Sequence, residues 1–222
     1  MKRQKARISD MENLKGYLKF KKTFGGIIRT LFRVHAHGTE NEPESGGLLI
    51  CANHTSLFDV FVLGAVLKRP MHFMAKAELF RIPVLRRMVK ALGAYPVDRG
   101  GSDVSAIKKT LRYLENGDAV GLFPQGHRNK GVYPGDTEVK PGVGMIAYRS
   151  GVQVLPVFIS TKNYAMRLFG RKDVYVGAPV TREELEFSSG GIQEYERAAG
   201  IVFDRILALD PLRPAEKGQH GD

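Results

Sequence analysis

Apolar runs too short to be helices recur along this chain, each bounded by turn residues and followed by a segment with helical spacing. Arg33 to His37, Leu48 to Ala52, Met71 to Ala75, Gly93 to Val97, Ala119 to Phe123, Gln153 to Ser160 and Asp173 to Val180 read as strands. Between them, Ser56 to about Leu67, Lys76 to Leu92 with a break at Pro83, Asp103 to Glu115 and Pro141 to Ser150 read as helices, and Glu194 to Leu209 as a terminal one. Ser102 suits the N-cap of the Asp103 helix, and Asn116-Gly117 suits its end. Strands joined through helices return in the same direction. The expected fold is therefore α/β, a single domain with a mixed, mostly parallel β-sheet flanked by helices. No internal repeat or linker divides it.

A chain of 222 residues with 43% apolar content is long enough for one real core. Its single cysteine, Cys51, excludes an intrachain disulfide. With neither C-x-x-C nor H-E-x-x-H present, no metal site and no cofactor are expected. The N-terminus lacks the apolar core of a secretory leader, and no uncharged run reaches the roughly 18 residues of a membrane span.

The net charge of +11 is concentrated at one end: residues 1–38 hold ten Lys or Arg against Asp10 and Glu12. There Leu14, Tyr17, Phe20, Phe24, Ile27, Ile28 and Leu31 recur at three- or four-residue intervals. Lys15, Lys19, Lys22, Arg29 and Arg33 recur likewise, which describes a basic amphipathic helix. Gly25-Gly26 in its middle favours a kink or two shorter helices. Such a helix packs its apolar stripe on the domain or lies on an anionic membrane surface, with a calmodulin-type target or a nucleic-acid arm as the lesser alternatives. Nucleic acid is not an expected partner, because no basic stripe with interleaved aromatics continues into the rest of the chain. The expected organisation is a basic amphipathic membrane-association segment over 1–33, a catalytic-type domain over 34–209 and a disordered tail over 210–222.

The chemistry centres on Asn53-His54-Thr55-Ser56-Leu57-Phe58-Asp59, directly after the Leu48 to Ala52 strand. Ser56 and Asp59 resemble a capping pair for a helix beginning near Leu57, which puts His54 at a strand-to-helix corner. Asp59 can accept a proton from one ring nitrogen and leave the other as a base. Taken alone, that spacing is equally what a capping histidine produces. Asp98-Arg99 and Gln125-Gly126-His127-Arg128 also follow strands, and parallel strands would bring all three clusters to one edge. Two arginines there suit a phosphate, and Gly126 lets backbone amides approach the same anion. The glycine spacing around Gly121 and Gly126 lacks the Lys and Ser/Thr of a P-loop, and no G-x-S-x-G supplies a serine nucleophile. A base without a protein nucleophile implies that the substrate brings the nucleophile.

Four blocks in order, Asn53-His54-x4-Asp59, Gly93-Ala94-Tyr95-Pro96-Val97-Asp98-Arg99, Phe123-Pro124-Gln125-Gly126-His127-Arg128 and Val154-Leu155-Pro156-Val157, resemble those of the glycerolipid acyltransferases. The likeness runs from about Arg33 to Pro179 and is nearest to the type that acylates 1-acyl-sn-glycerol-3-phosphate. It implies that His54, held by Asp59, takes the proton of the sn-2 hydroxyl of lysophosphatidic acid as that oxygen attacks acyl-CoA or an acyl-carrier protein thioester. Phosphatidic acid results. Arg99 and Arg128 would hold the acceptor phosphate, with Gln125, Gly126, His127 and Lys76 lining the same site. The implied location is the cytoplasmic face of the cell membrane, as a peripheral, monotopic protein. Rival readings are a different lysolipid or glycerol-phosphate acceptor, or a non-catalytic lipid-binding protein. The third block departs from the family's F-P-E-G-T/S-R: Gln125 stands for the Glu and His127 for the hydroxyl residue, which leaves acceptor preference open.

Overall fold

The computed structural model describes residues 17–19, 21–23, 25–97, 103–167 and 169–213. Seven strands form one sheet: β1 (Val34–His37), β2 (Leu48–Ala52), β3 (Met71–Lys76), β4 (Ala94–Val97), β5 (Ala119–Leu122), β6 (Gln153–Thr161) and β7 (Lys172–Val176). Their order is β1-β7-β6-β2-β5-β3-β4. Every pairing is parallel except β6 with β7. The mixed, mostly parallel α/β sheet expected from the alternation is the one observed.

Helices cover both faces. They are α1 (helical among the described residues of 17–31), α2 (Asp59–Val66), α3 (Pro83–Ala91), α4 (Val104–Glu115), α5 (Gly142–Ser150) and α6 (Ile192–Leu207). The connections β2-α2-β3 and β3-α3-β4 move across the sheet in one sense, and β4-α4-β5 and β5-α5-β6 return. Right-handed crossovers therefore place α2 and α3 on one face and α4 and α5 on the other. The core agrees: Leu48, Ile50 and Ala52 of β2 pack with Val62, Leu63 and Val66 of α2. On the opposite face Leu49 and Cys51 pack with Ala106 and Leu114 of α4, Ile146 of α5 and Val202 of α6. All five residues of β2 are buried, as a strand covered on both faces requires.

Helix α1 belongs to the first of these layers. Tyr17, Ile28 and Phe32 are buried, and Ile28 and Phe32 join the core around β2 and α2. Burying side chains of this size contributes roughly 1.5–3 kcal/mol each. Lys21 donates from Nζ to the carbonyls of Leu67 and Lys68, closing the end of α2. The apolar stripe thus divides: Ile27 and Leu31, expected beside Ile28 on one surface, face solvent together with Leu18. Gly25 and Gly26 are themselves helical. Phe20 and Phe24 lie outside the described residues. Lys172 of β7, its Nζ 4.9 Å from the Phe32 ring and donating to the carbonyls of Arg167 and Gly170, ties the segment after α1 to the sheet. Burial pulls its pKa down to about 8.

Several boundaries differ from the sequence expectation for local reasons. The last strand ends at Val176 rather than Val180, and Pro156 explains it. Proline has no N–H to donate, so the β6–β7 ladder stops at Val157↔Val176 and continues only as the bridge Val154↔Val180. The helix after β4 is capped by Asp103, whose carboxylate accepts from Ser105 N and Ala106 N. Ser102, the expected cap, lies outside the described residues. At the C-terminus Asp210, placed in the expected disordered tail, is buried and accepts from Tyr164 Oη at 3.1 Å; residues 214–222 lie outside the described residues.

Candidate active site

The strands β2, β5, β3 and β4 are parallel, so their C-terminal ends share one edge, with β2 near the centre. The first residue beyond β2 is Asn53. Its fully buried side chain donates from Nδ2 to Ile159 O at 3.1 Å and accepts from Ile159 N at 2.7 Å, so the amide extends the β2–β6 ladder where the backbone turns away. That clamp aims the next residue, His54.

The corner then differs from a standard capped helix. Helix α2 starts at Asp59, not Leu57, and its N-cap Phe58 makes no side-chain cap bond. Asp59 instead reaches back: Oδ2 accepts from Thr55 N at 2.7 Å, Ser56 N at 2.8 Å and His54 Nδ1 at 2.8 Å. Asp59 is fully buried and the His54 side chain is 11% exposed. Because the carboxylate is already held by two backbone amides, it cannot rotate away from the ring. It fixes the tautomer with the proton on Nδ1 and leaves Nε2 as the basic nitrogen. Nε2 has no hydrogen-bond partner among the described residues. Phe123, just past β5, stacks on the imidazole with centroids 3.8 Å apart and planes 13° from parallel.

The loop after β5 is fastened to the same histidine. Gln125 Oε1 accepts from His54 N at 2.7 Å, and His54 O accepts from Asn129 N at 2.9 Å. Gln125 Nε2 donates to Thr137 Oγ1 at 2.7 Å, and the side chain is 1% exposed. Both ends of this amide are occupied by protein. Gln125 therefore holds the His54 backbone and does not face a ligand as the substrate-lining expectation had it. Its departure from Glu sits beneath the histidine, between His54 and Thr137. At Gly126 φ is +72°, a left-handed turn that suits glycine, and the chain then emerges into solvent at His127 and Arg128. Arg128 makes no ion pair among the described residues. Lys76, the exposed last residue of β3, reaches the same edge.

The structure thus brings together His54, Asp59, Gln125, Gly126, His127 and Arg128, with Lys76 two strands from β2 along the edge. Arg99 lies outside the described residues; the strand that leads to it, β4, ends on the same side at Val97. Sequence reasoning gave Asn53 and Phe123 no role of their own and did not single out Thr137 or Asn129. Asn53 and Phe123 open two of the recognised blocks, a signal that was available, whereas Thr137 and Asn129 act only through the fold. Among the described residues no group of His, Cys, Asp and Glu could hold a metal ion.

A family model described as Acyltransferase matches residues 33–160, from β1 to the end of β6. The chain belongs to the acyltransferase family. This acyltransferase is 31% identical over 150 residues to a Bacillus subtilis protein named 1-acyl-sn-glycerol-3-phosphate acyltransferase, covering 66% of its own length and 73% of that protein's. It is 29% identical over 177 residues to a protein of the same name from Borreliella burgdorferi, covering 77% and 68%. Among solved structures it resembles the 1-acyl-sn-glycerophosphate acyltransferase PlsC of Thermotoga maritima, with a TM-score of 0.65 at 26% identity over 91% of this chain and 81% of that one. The acyltransferase fold is thereby assigned to the whole described domain. The residues matched by the family include the complete His54 to Asp59 corner and the loop through Arg128.

Proposed function

We propose that the protein transfers a fatty acyl group to the sn-2 hydroxyl of 1-acyl-glycerol-3-phosphate, giving phosphatidic acid, with acyl-CoA or an acyl-carrier protein as donor. The observation that carries this reading is the His54 Nδ1–Asp59 bond at 2.8 Å beside an Nε2 that has no partner among the described residues, at the end of a central strand. Relatives named for this acceptor support the substrate class.

In the proposed reaction Nε2 takes the proton from the acceptor hydroxyl as its oxygen attacks the thioester carbonyl. The tetrahedral intermediate collapses, the carbon–sulfur bond breaks, and the imidazolium returns its proton to the departing thiolate. No acyl-enzyme forms. Asp59 stays ionised and stabilises the transient imidazolium. Arg128, on a loop bonded to His54 at both its N–H and its carbonyl, holds the acceptor phosphate close to the base; Arg99 is the expected second clamp. General-base assistance of this kind contributes about 10²–10⁴-fold, and positioning supplies the remainder.

The acceptor and the product are lipids, so the protein works at a membrane, and the cytoplasmic face is proposed because both candidate donors are soluble carriers found there. Among the described residues no helix is long and apolar enough to cross a bilayer. The outer face of α1 offers Leu18, Ile27 and Leu31 beside Lys19, Lys22 and Arg29, a composition suited to an anionic leaflet. A radiolabelled transfer assay that crosses acyl-CoA and acyl-carrier protein donors with several lysolipids tests the reading. Labelled phosphatidic acid is the expected product. Labelling only of acceptors without a phosphate, or of none, would overturn it.

A further inference from the structure

Helix α3 stands apart from the other helices of the domain. It contributes no buried residue, whereas α2, α4, α5 and α6 each contribute several, and it belongs to neither core cluster. Val84 and Met88, one turn apart, are 68% and 40% exposed, and Ile82 just before the helix is 51% exposed. Leu85 and Val89 form the adjoining stripe and are half-buried. The rest of the circumference is cationic: Arg86, Arg87 and Lys90 follow Arg81, with no acid from Arg81 to Lys90.

We propose that α3 is a second lipid-surface contact, which seats the edge carrying His54 against an anionic leaflet. The inference rests on the lipid-acceptor reading. Two observations select this occupant. The bare apolar stripe beside a wholly cationic one is the pattern of a helix lying in a bilayer interface. Its position fits too: α3 follows Lys76 after a 3-10 turn (Ala77–Phe80) and the two residues Arg81 and Ile82, and, by crossover handedness, shares its sheet face with α2. That is the face on which α1 packs, and Leu57 and Phe58 beside the histidine are also exposed. Charge excludes two alternatives. Residues 1–16 carry five Lys or Arg against two acids, and a two-fold self-contact would set α3 against another α3, so both would meet like charge. An acidic acyl-carrier protein would satisfy the cations, and the test below separates it from a lipid surface.

The chain contains no Trp, so an introduced one is a unique reporter. Met88→Trp, with Val84→Trp as a second reporter should the first fail to fold, is mixed with vesicles containing phosphatidylglycerol. The expected result is a blue-shifted emission quenched by bromine-labelled acyl chains. Ile192→Trp, exposed on α6 over the other sheet face, is expected to stay unshifted. Replacing Arg86 and Arg87 together by Gln should weaken partitioning onto these vesicles roughly 30-fold, since each surface cation contributes about 1 kcal/mol. Transfer to a detergent-dispersed acceptor should be unchanged. An unshifted Val84→Trp, an equal shift at Ile192→Trp, unchanged partitioning of the double variant, or a response to acyl-carrier protein in place of vesicles would each overturn the proposal. Absence of transfer by the wild type in detergent would instead remove the catalytic reading and leave the vesicle results standing.

Discussion

Two histidine–aspartate pairs in this molecule are nearly alike in local geometry and unlike in everything around them. His54 and Asp59 are 2.8 Å apart; His37 and Asp173 are 3.0 Å apart. Each imidazole stacks on an aromatic ring, Phe123 in one case and Tyr175 in the other, both tilted by 13°. The His37 side chain, however, is 45% exposed, and its carboxylate also accepts from Arg171 Nε at 2.8 Å and Nη2 at 2.9 Å. Asp59 has no cation and is held by backbone amides in full burial. The His37–Asp173 pair joins the edge strand β1 to β7; the His54–Asp59 pair stands at the tip of a buried strand, with an arginine loop bonded to it. A short His–Asp contact is therefore not in itself a site. Burial, a fixed carboxylate and a neighbouring cation not already spent are what separate the two.

That contrast can be broken most directly at the histidines. His54→Ala should lower the turnover number by about 10²–10⁴-fold, whereas His37→Ala should transfer at the wild-type rate; equal losses would remove the distinction. Asp59→Asn should come close to His54→Ala, because an amide no longer selects the tautomer with a basic Nε2. It should also unfold at lower urea, by about 1–3 kcal/mol, since an oxygen that accepts three N–H groups in burial is altered. Asp173→Asn, by contrast, should leave steady-state transfer unchanged.

The arginines sharpen the comparison next. Arg171 is committed to Asp173, so Arg171→Ala should leave steady-state transfer unchanged. Arg128→Ala should raise KM for a phosphate-bearing acceptor about 10–100-fold, corresponding to the roughly 1.5–3 kcal/mol of a charged hydrogen bond, and leave KM for the acyl donor in place. Equal changes in both constants would argue against an acceptor clamp. Gln125→Ala should act differently again: by freeing the His54 backbone and Thr137 it should lower the turnover number several-fold with a smaller change in acceptor KM, at a stability loss of about 1–3 kcal/mol.

The smallest effect is one of pH. Hydrogen bonding to Arg171, and then to His37, holds the Asp173 carboxyl at about 2, below its ordinary 3.8. A depressed folded-state pKa gives stability that is complete above the unfolded value and is lost as pH falls through the folded one. The wild type should therefore lose this contribution between about pH 4 and pH 2, and Asp173→Asn should show a shallower acid dependence in that window. Identical slopes in equilibrium unfolding would refute it.

The two pairs also mark how far residues can be read in order. Asn53 to Asp59 was legible because strand, corner and helix are contiguous, and a contact over five residues depends only on local turns. His37–Asp173 was not, because it joins residues brought together by β1–β7 pairing. The same limit applied at Gln125. Its place in the third block pointed toward substrate, yet its contacts with His54 and Thr137 exist only once β5 lies beside β2. The N-terminal helix was legible as amphipathic, but which apolar residues face the core depends on the position of α2, and Ile28 parted from Ile27 on that account.

By itself, the sequence determined the alternation that makes an α/β sheet, the strand-to-helix corner at His54, and the arginine loop after β5. These rest on period, turn residues and short-range hydrogen bonds, which a chain carries in order. Only the tertiary structure decided that the carboxylate of Asp59 is locked by backbone amides in full burial, that Gln125 supports the histidine from beneath, and that β7 turns antiparallel and ends at Val176, just before the Gly177 N–H that donates to Pro156 O. Each of these depends on which strands become neighbours, and that is set by burying two faces of one sheet at once.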